Sequence, residues 1–273
     1  MTTAAPPVSL LFAEVLLLWH AANYLFSGDP VRAAGRPRSS QTRRSIVWLF
    51  LRAIGVGVLT AAVAGVWPGI ILAGVVTAGC VLLPLARSMW VPGRYLAELE
   101  IGSNIAFAAV LQWLIVRFNL QANWALFRMP LPESLLAAYG IAAALLIFVT
   151  RGGTFIVRGI LNRAGTMPPP ELESAPKVEP EGSLDLQGAL PVDTVELNYG
   201  RLIGNVERLI LVLLVANGQY TALAFFFAAK GLIRSKDVER RAWADYLILG
   251  SLTSFLVAVV AGLLIQAAFR MAA

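Results

Sequence analysis

The sequence predicts an all-α fold: a polytopic transmembrane helix bundle of about eight helices, with seven as the alternative, and the N-terminus outside. Apolar residues make up 58% of the chain, and the mean hydropathy is +0.72, far above a soluble domain. Several apolar runs reach the roughly 20 residues that a helix needs to cross a bilayer. The abundance of Ala, Gly, Val and Leu is typical of a GC-rich bacterial source, so we expect a multi-pass protein of the bacterial inner membrane.

The positive charge of the chain is explained by membrane topology. The net charge is +6, but Arg and Lys collect in the loops of one predicted face. We therefore expect membrane lipids, and no nucleic acid, as partners. The strongest topology signal is the loop 27–44, which has one acid and five arginines and is predicted to be cytoplasmic: Arg32, Arg36, Arg38, Arg43 and Arg44.

Residues 1–163 are predicted to form five front helices, followed by a surface helix. The apolar runs predict helices over 8–26, 45–66, 70–87, 96–118 and 133–149. Trp67-Pro68-Gly69 predicts a turn, and Pro84 predicts a kink. Arg151-Gly152-Gly153 is expected to break or bend the fifth helix, and 154–163 to continue along the inner membrane surface.

Residues 164–197 differ in composition from the rest of the chain. They contain six prolines and seven acids, against Lys177 as the one base. Such a segment cannot bury enough apolar surface to fold, so it predicts a disordered cytoplasmic linker. It separates the front helices from a back transmembrane part, residues 198–273.

The back part allows two interpretations. Residues 209–229 have the length of a single crossing, whereas Asn217-Gly218 is a strong turn signal between two short helices, 200–216 and 219–234. A hairpin keeps Lys230, Arg234 and the following basic residues inside, so charge favours it. The hairpin also places Glu207 and Lys230 at about the same depth, 15–18 Å from its tip, where they can pair. The last helix is predicted over 243–269.

Charged and polar residues inside these helices are the candidate binding residues, because charge in an apolar helix is costly and is usually paired or used. The functional hypothesis is a shared inner polar layer that binds a small charged species. The alternative is a set of structural ion pairs and snorkelling side chains, and the positions near helix ends favour that alternative. The candidates are Arg52, Glu207, Arg208, Gln219, Lys230, Arg234 and Asp245.

Small residues recur every four positions in two predicted helices. One row is Ala53, Gly57, Ala61 and Gly65, and the other is Gly250, Ser254, Ala258 and Gly262. Such rows let helix backbones approach closely, within one protomer or in a homo- or hetero-oligomer.

Catalytic motifs are not found in the sequence. One histidine and one cysteine do not make a zinc site, and no phosphate-binding glycine loop is present. We expect no metal, no cofactor and no catalytic residue, and we favour a non-enzymatic protein that binds or passes a small charged species or serves a partner. The alternatives are an intramembrane enzyme acting on a lipid or isoprenoid headgroup, and a structural subunit of a membrane complex.

The back part also resembles a known pattern. Ile203-Gly204-x-x-Glu207-Arg208, Gly218-Gln219, Ala229-Lys230-x-x-x-Arg234 and Asp245-Tyr246-x-x-x-Gly250-Ser251-x-x-Ser254 are similar to the C-terminal signature of an uncharacterised bacterial integral-membrane family, a domain of unknown function. The family pattern has Ser, Glu and Thr where this chain has Gly231, Asp245 and Ser251. In its first helix it has a His and an Asp-Phe pair, against His20 and Asn23-Tyr24 here. The resemblance implies a membrane fold and draws attention to the charged and polar residues of the signature. It implies no activity, because the family has no established one.

Overall fold

The computed structural model describes residues 9–25, 43–122, 130–166, 194–234 and 241–273. Within these ranges the chain is all-helical, with no strand, which confirms the predicted fold class. Nine α-helices make up eight continuous helical segments in these ranges, because α5 and α6 run into each other. The helices are α1 Leu10–His20, α2 Arg43–Ala64, α3 Val66–Leu85, α4 Leu96–Phe118, α5 Glu133–Ile147, α6 Gly153–Ala164, α7 Thr194–Ala216, α8 Tyr220–Arg234 and α9 Arg241–Ala272.

Three π-helical turns extend these helices. The first, Ala21–Leu25, continues α1; the second, Ala86–Trp90, continues α3; the third, Phe148–Gly152, joins α5 to α6. A π turn widens the helix by one residue and redirects the side chains that follow it, and such turns are frequent at functional sites. All three lie next to the polar clusters described below.

Four segments are long and apolar enough to cross a membrane: Val47–Ala64, Gly93–Phe118, Glu133–Ala164 and Asp245–Ala272. The helix predicted over 96–118 has those bounds, and the first helix lies within the predicted 8–26. The number of crossings and the N-terminal orientation stay predictions. The arginine-rich loop lies outside the described residues except for Arg43 and Arg44, and so does most of the linker 164–197.

Two predicted boundaries are wrong. The break between α2 and α3 falls at Gly65, whose φ is 85°, and not at Trp67-Pro68-Gly69. Pro68 lies in the first turn of α3, where its missing N–H costs no hydrogen bond. In the back part, α7 begins at Thr194, inside the segment predicted as linker.

The predicted hairpin is confirmed as two helices with a break between them. α7 ends at Ala216, Asn217 and Gly218 form the turn, and α8 begins at Tyr220. Gly218 has a φ of 68°, a left-handed conformation that favours glycine. The 15-residue α8 is about 22 Å long, shorter than the about 30 Å hydrocarbon core, so its crossing of the membrane stays a prediction.

Close helix contacts occur where glycine removes a side chain. A Cβ on Gly57 of α2 would lie 2.2 Å from Thr77 Oγ1 of α3, and a Cβ on Gly262 of α9 would lie 2.7 Å from Val215 Cβ of α7. Both glycines belong to the predicted rows of small residues, so these rows include packing positions within one chain. Among the described glycines, the tightest contact with backbone was not predicted: a Cβ on Gly159 of α6 would lie 2.4 Å from the backbone nitrogen of Ala97 in α4.

We predict that Gly159→Ala lowers the stability of the protein by about 1–3 kcal/mol, because the new methyl group collides with backbone that cannot rotate away. The thermal unfolding midpoint in mild detergent measures this. Gly102→Ala on α4 is the control, since a Cβ at Gly102 meets nothing within 4 Å. Equal midpoints for the two variants would show that α4 and α6 do not pack this closely.

Candidate functional site

The two charged residues of the helical hairpin form an ion pair. Lys230 Nζ of α8 lies 2.5 Å from Glu207 Oε2 of α7, and their side chains are 14% and 17% exposed. This contact confirms the pairing predicted from the equal distances of the two residues from the hairpin tip. Because the two charges cancel, the pair adds no net charge to its surroundings.

Arg208, the next residue of α7, is buried with only 4% of its surface exposed. Its Nη1 donates to Ser254 Oγ of α9 at 3.1 Å. Its Nη2 donates to Thr154 Oγ1 of α6 at 2.9 Å, to the Thr150 carbonyl at 3.3 Å and to Asn205 Oδ1. All four acceptors are uncharged, so they hold the guanidinium in place without neutralising it.

The Nε atom of Arg208 is buried and has no hydrogen-bond partner among the described residues. Two glycines lie beside the guanidinium: a Cβ on Gly153 would be 3.3 Å from Nε, and a Cβ on Gly204 would be 3.9 Å from Nη1. A buried donor without a partner costs about 1–3 kcal/mol, and more when it is charged. The site therefore has one N–H that an anionic oxygen can accept.

The remaining candidates lie elsewhere. Arg52 is half-buried between α2 and α3, where its Nη2 donates to the Cys80 carbonyl at 3.4 Å. Gln219 is exposed at the hairpin tip. Asp245 is exposed, and it precedes Ser254 by nine residues, about 13 Å along α9. The Arg234 side chain is outside the described residues.

A second polar cluster, the front network, lies among α1, α3, α4 and their π turns. Arg87 pairs with Glu100 through two parallel hydrogen bonds, Nε to Oε1 and Nη2 to Oε2, the second at 2.8 Å. The Glu100 side chain is fully buried and that of Arg87 is 7% exposed. Tyr24 Oη donates to Glu100 Oε2 at 2.7 Å, and Arg87 Nη1 donates to the Asn23 carbonyl at 3.2 Å. This guanidinium is neutralised by a carboxylate.

Asn104 of α4 extends the front network. Its Nδ2 donates to Tyr24 Oη and to the Glu100 carbonyl, both at 2.7 Å. Its Oδ1 accepts from Trp19 Nε1 at 3.2 Å and contacts His20 Nε2 at 2.9 Å. Because the indole N–H can only donate, it fixes the orientation of the amide, and His20 must then carry its hydrogen on Nε2.

The single polar layer predicted from the sequence is thus two clusters on either side of one segment, the π turn Phe148–Gly152 and the start of α6. Phe148 contacts the rings of His20 and Tyr24, with centroids 5.6 Å from each. A Cβ on Gly152 would lie 3.1 Å from Tyr24 Cε1, while the Gly153 position faces Arg208. Arg52 belongs on the front side, and Glu207, Arg208 and Lys230 on the back.

The sequence contains a signal for part of the front network. Glu98 and Glu100 are two residues apart, so they point to nearly opposite faces of α4. Glu98 pairs with Arg163 at the surface, where the side chains are 47% and 64% exposed. Glu100 faces inward, towards Arg87. This helical spacing predicts that one of the two is buried, although it does not identify the partner.

Comparisons of the chain with protein-family models, with curated proteins and with solved structures give no match. The resemblance of the back part to an uncharacterised membrane family therefore stays a prediction. The site has to be interpreted from its own chemistry.

We predict that Glu100→Gln lowers the stability of the protein by about 3–5 kcal/mol, because it leaves the Arg87 guanidinium buried without a counter-charge. Thermal unfolding in detergent measures the loss. The matched control is Glu98→Gln, which removes the same charge from the exposed pair on the same helix and should change the midpoint little. Similar effects of both substitutions would contradict the burial difference.

We also predict that the charges of Glu207 and Lys230 can be exchanged. Glu207→Lys or Lys230→Glu alone places two like charges together and destabilises the protein, while the double variant regains most of the stability. A double-mutant cycle of unfolding midpoints should give a coupling of about 0.5–3 kcal/mol. The same exchange of Glu98 and Arg163 is the control, with a smaller coupling. Additive single effects at Glu207 and Lys230 would rule the ion pair out.

Proposed function

We propose that this chain is a multi-pass protein of the bacterial inner membrane that binds a small anion at Arg208, or passes it across the membrane, and that it is not an enzyme. The observation that carries the proposal is a buried guanidinium with neutral acceptors and a free N–H. The four candidate spans support the membrane location, because only 28% to 33% of each apolar window is buried inside the protein. The rest of each helix surface is available to lipid.

The energetics favour an anion at this position. Moving a charged group out of water costs several kcal/mol even after relaxation, and neutral hydrogen bonds recover only part of that. Arg87 meets this cost with the Glu100 carboxylate. Glu207 interacts with Arg208 electrostatically but makes no hydrogen bond to it, because its carboxylate forms an ion pair with Lys230. The three back residues together carry one net positive charge, which a bound anion would neutralise.

The alternatives are less well supported by the geometry. A headgroup-binding enzyme would hold one phosphate with Arg52, Arg208 and Lys230, yet Arg52 lies on the other side of the Phe148–Gly152 turn and Lys230 is paired with Glu207. A subunit that assembles through its small residues would need those positions free, whereas Gly57 and Gly262 already contact neighbouring helices of the same chain.

We predict that small anions stabilise the purified protein and that Arg208 is required. In a zwitterionic buffer of low salt, sodium acetate, phosphate and chloride are titrated while the unfolding midpoint is followed. A ligand at 100 times its Kd stabilises by about 2.7 kcal/mol, and the shift saturates as the site fills. Arg208→Gln should abolish the saturable shift. Arg163→Gln, which removes an exposed arginine, should keep it.

A shift with none of the three salts, or an equal shift in wild type and Arg208→Gln, would contradict the proposal. Arg208 would then be a structural tie between α6, α7 and α9. That role predicts a lower midpoint for Arg208→Gln and no dependence on the anion.

A further inference from the structure

The two buried arginines allow the ligand of Arg208 to be specified further, on the assumption that Arg208 binds an anion as proposed above. A guanidinium presents Nε and Nη2 along one edge, and this edge matches the two oxygens of a carboxylate. Arg87 uses that edge for Glu100, with Nε on one carboxylate oxygen and Nη2 on the other. The chain therefore contains one filled example of the arrangement.

In Arg208 the same edge is only half used. Nε has no partner among the described residues, and Nη2 faces three acceptors, Thr150 O, Thr154 Oγ1 and Asn205 Oδ1. Nη2 has two hydrogens, so one of these three acceptors is in excess. The Thr154 hydroxyl donates to the Thr150 carbonyl at 3.0 Å and lies 3.5 Å from Asn205 Oδ1, the longer of the two contacts. Asn205 is therefore the acceptor that a rotation of its own side chain removes at the smaller cost.

We infer that Arg208 binds a monocarboxylate side-on, with one oxygen on Nε and the other on the Nη2 hydrogen that Asn205 gives up. Gly153 faces Nε, and even a Cβ at this position would lie only 3.3 Å from it, so a larger residue would block this edge of the guanidinium. Its other neighbour there is apolar, since a Cβ at Gly153 would lie 3.5 Å from Val257 Cγ1. A planar group with two oxygens matches this edge, while the further oxygens of phosphate would face Val257 without donors.

Charge leads to the same class of ligand. Glu207 and Lys230 cancel, so the back cluster carries one positive charge, which one carboxylate neutralises and a phosphate dianion would exceed. A chloride ion would neutralise this charge equally well. It offers one acceptor atom to the two N–H donors of the edge, however, whereas a carboxylate offers a separate oxygen to each. The distinguishing property is therefore geometry, and the carboxylate can come from a small free acid or from the headgroup of a fatty acid.

The test compares formate, acetate, chloride and phosphate on the full-length protein in detergent at pH 7.5, with the unfolding midpoint and carboxylate saturation-transfer NMR as readouts. We expect saturable binding of formate and acetate, with chloride and phosphate at least about 10-fold weaker. Octanoate, below its micelle concentration, separates the sources: tighter binding than acetate indicates a fatty acid, and weaker binding a small free acid. Both outcomes support a carboxylate.

Two variants separate side-on binding from simple charge attraction. Arg208→Lys keeps the charge but lacks the paired Nε and Nη2 donors. The affinity for acetate should therefore fall about 10-fold or more, while the affinity for chloride should change less. Asn205→Ala removes the competing acceptor from Nη2. The variant should bind acetate about 3-fold tighter or more, because acetate no longer has to replace a hydrogen bond that the empty protein makes. If Arg208→Lys does not fold, Asn205→Ala alone carries the test.

Chloride or phosphate binding as tightly as acetate would overturn the inference while leaving anion binding at Arg208 intact. Weaker acetate binding by Asn205→Ala would overturn it as well, since Asn205 would then be part of the site and not a competitor. If none of the anions binds, both the inference and the proposed function fail.

Discussion

A positive charge inside a helix bundle must be matched by a negative one, and this constraint organises the polar interior of the protein. Arg87 satisfies it within the chain through Glu100, which is itself held by Tyr24. The guanidinium also lies over the rings of Tyr24 and Phe155, 5.0 Å and 4.4 Å from their centroids, so it ties α1, α3, α4 and α6 together. Among the described residues Arg208 donates to no carboxylate, and this contrast between the two arginines is the basis of the proposed site.

The segment from Phe148 to Thr154 contacts both clusters. On one side it packs against His20 and Tyr24, and on the other its Thr150 carbonyl and Thr154 hydroxyl hold Arg208. Because the turn is π-helical, successive side chains are rotated differently from those of a regular helix, so neighbouring residues can serve both sides. Adjacent glycines at 152 and 153 make both approaches close enough.

The sequence predicts local features of this fold better than long-range ones. Helix bounds follow from apolar runs, and the hairpin follows from Asn217-Gly218 together with charge, so the Glu207–Lys230 pair could be placed by counting residues along two arms of one turn. The Arg87–Glu100–Tyr24 contacts could not, because Tyr24 and Glu100 are 76 residues apart and no periodicity relates them. The same limit applies to Arg52 and Arg208, which were predicted to share one layer: they contact different helices, because equal depth does not determine which side of an intervening helix a residue occupies.

The signature residues of the back part are explained only in part by their contacts. Glu207 and Lys230 neutralise each other across the hairpin, and Ser254 of α9 accepts from Arg208 of α7. Gly204, on the same helix as Arg208, and Gly153, on α6, place no side chain against that guanidinium. Stability alone would favour filling these positions and giving Arg208 a carboxylate partner, as Glu100 is for Arg87. Asn205 and Thr154 are instead neutral acceptors, so they position the guanidinium without cancelling its charge. The proposed reversible anion site needs this property, because a permanent counter-charge would compete with the ligand.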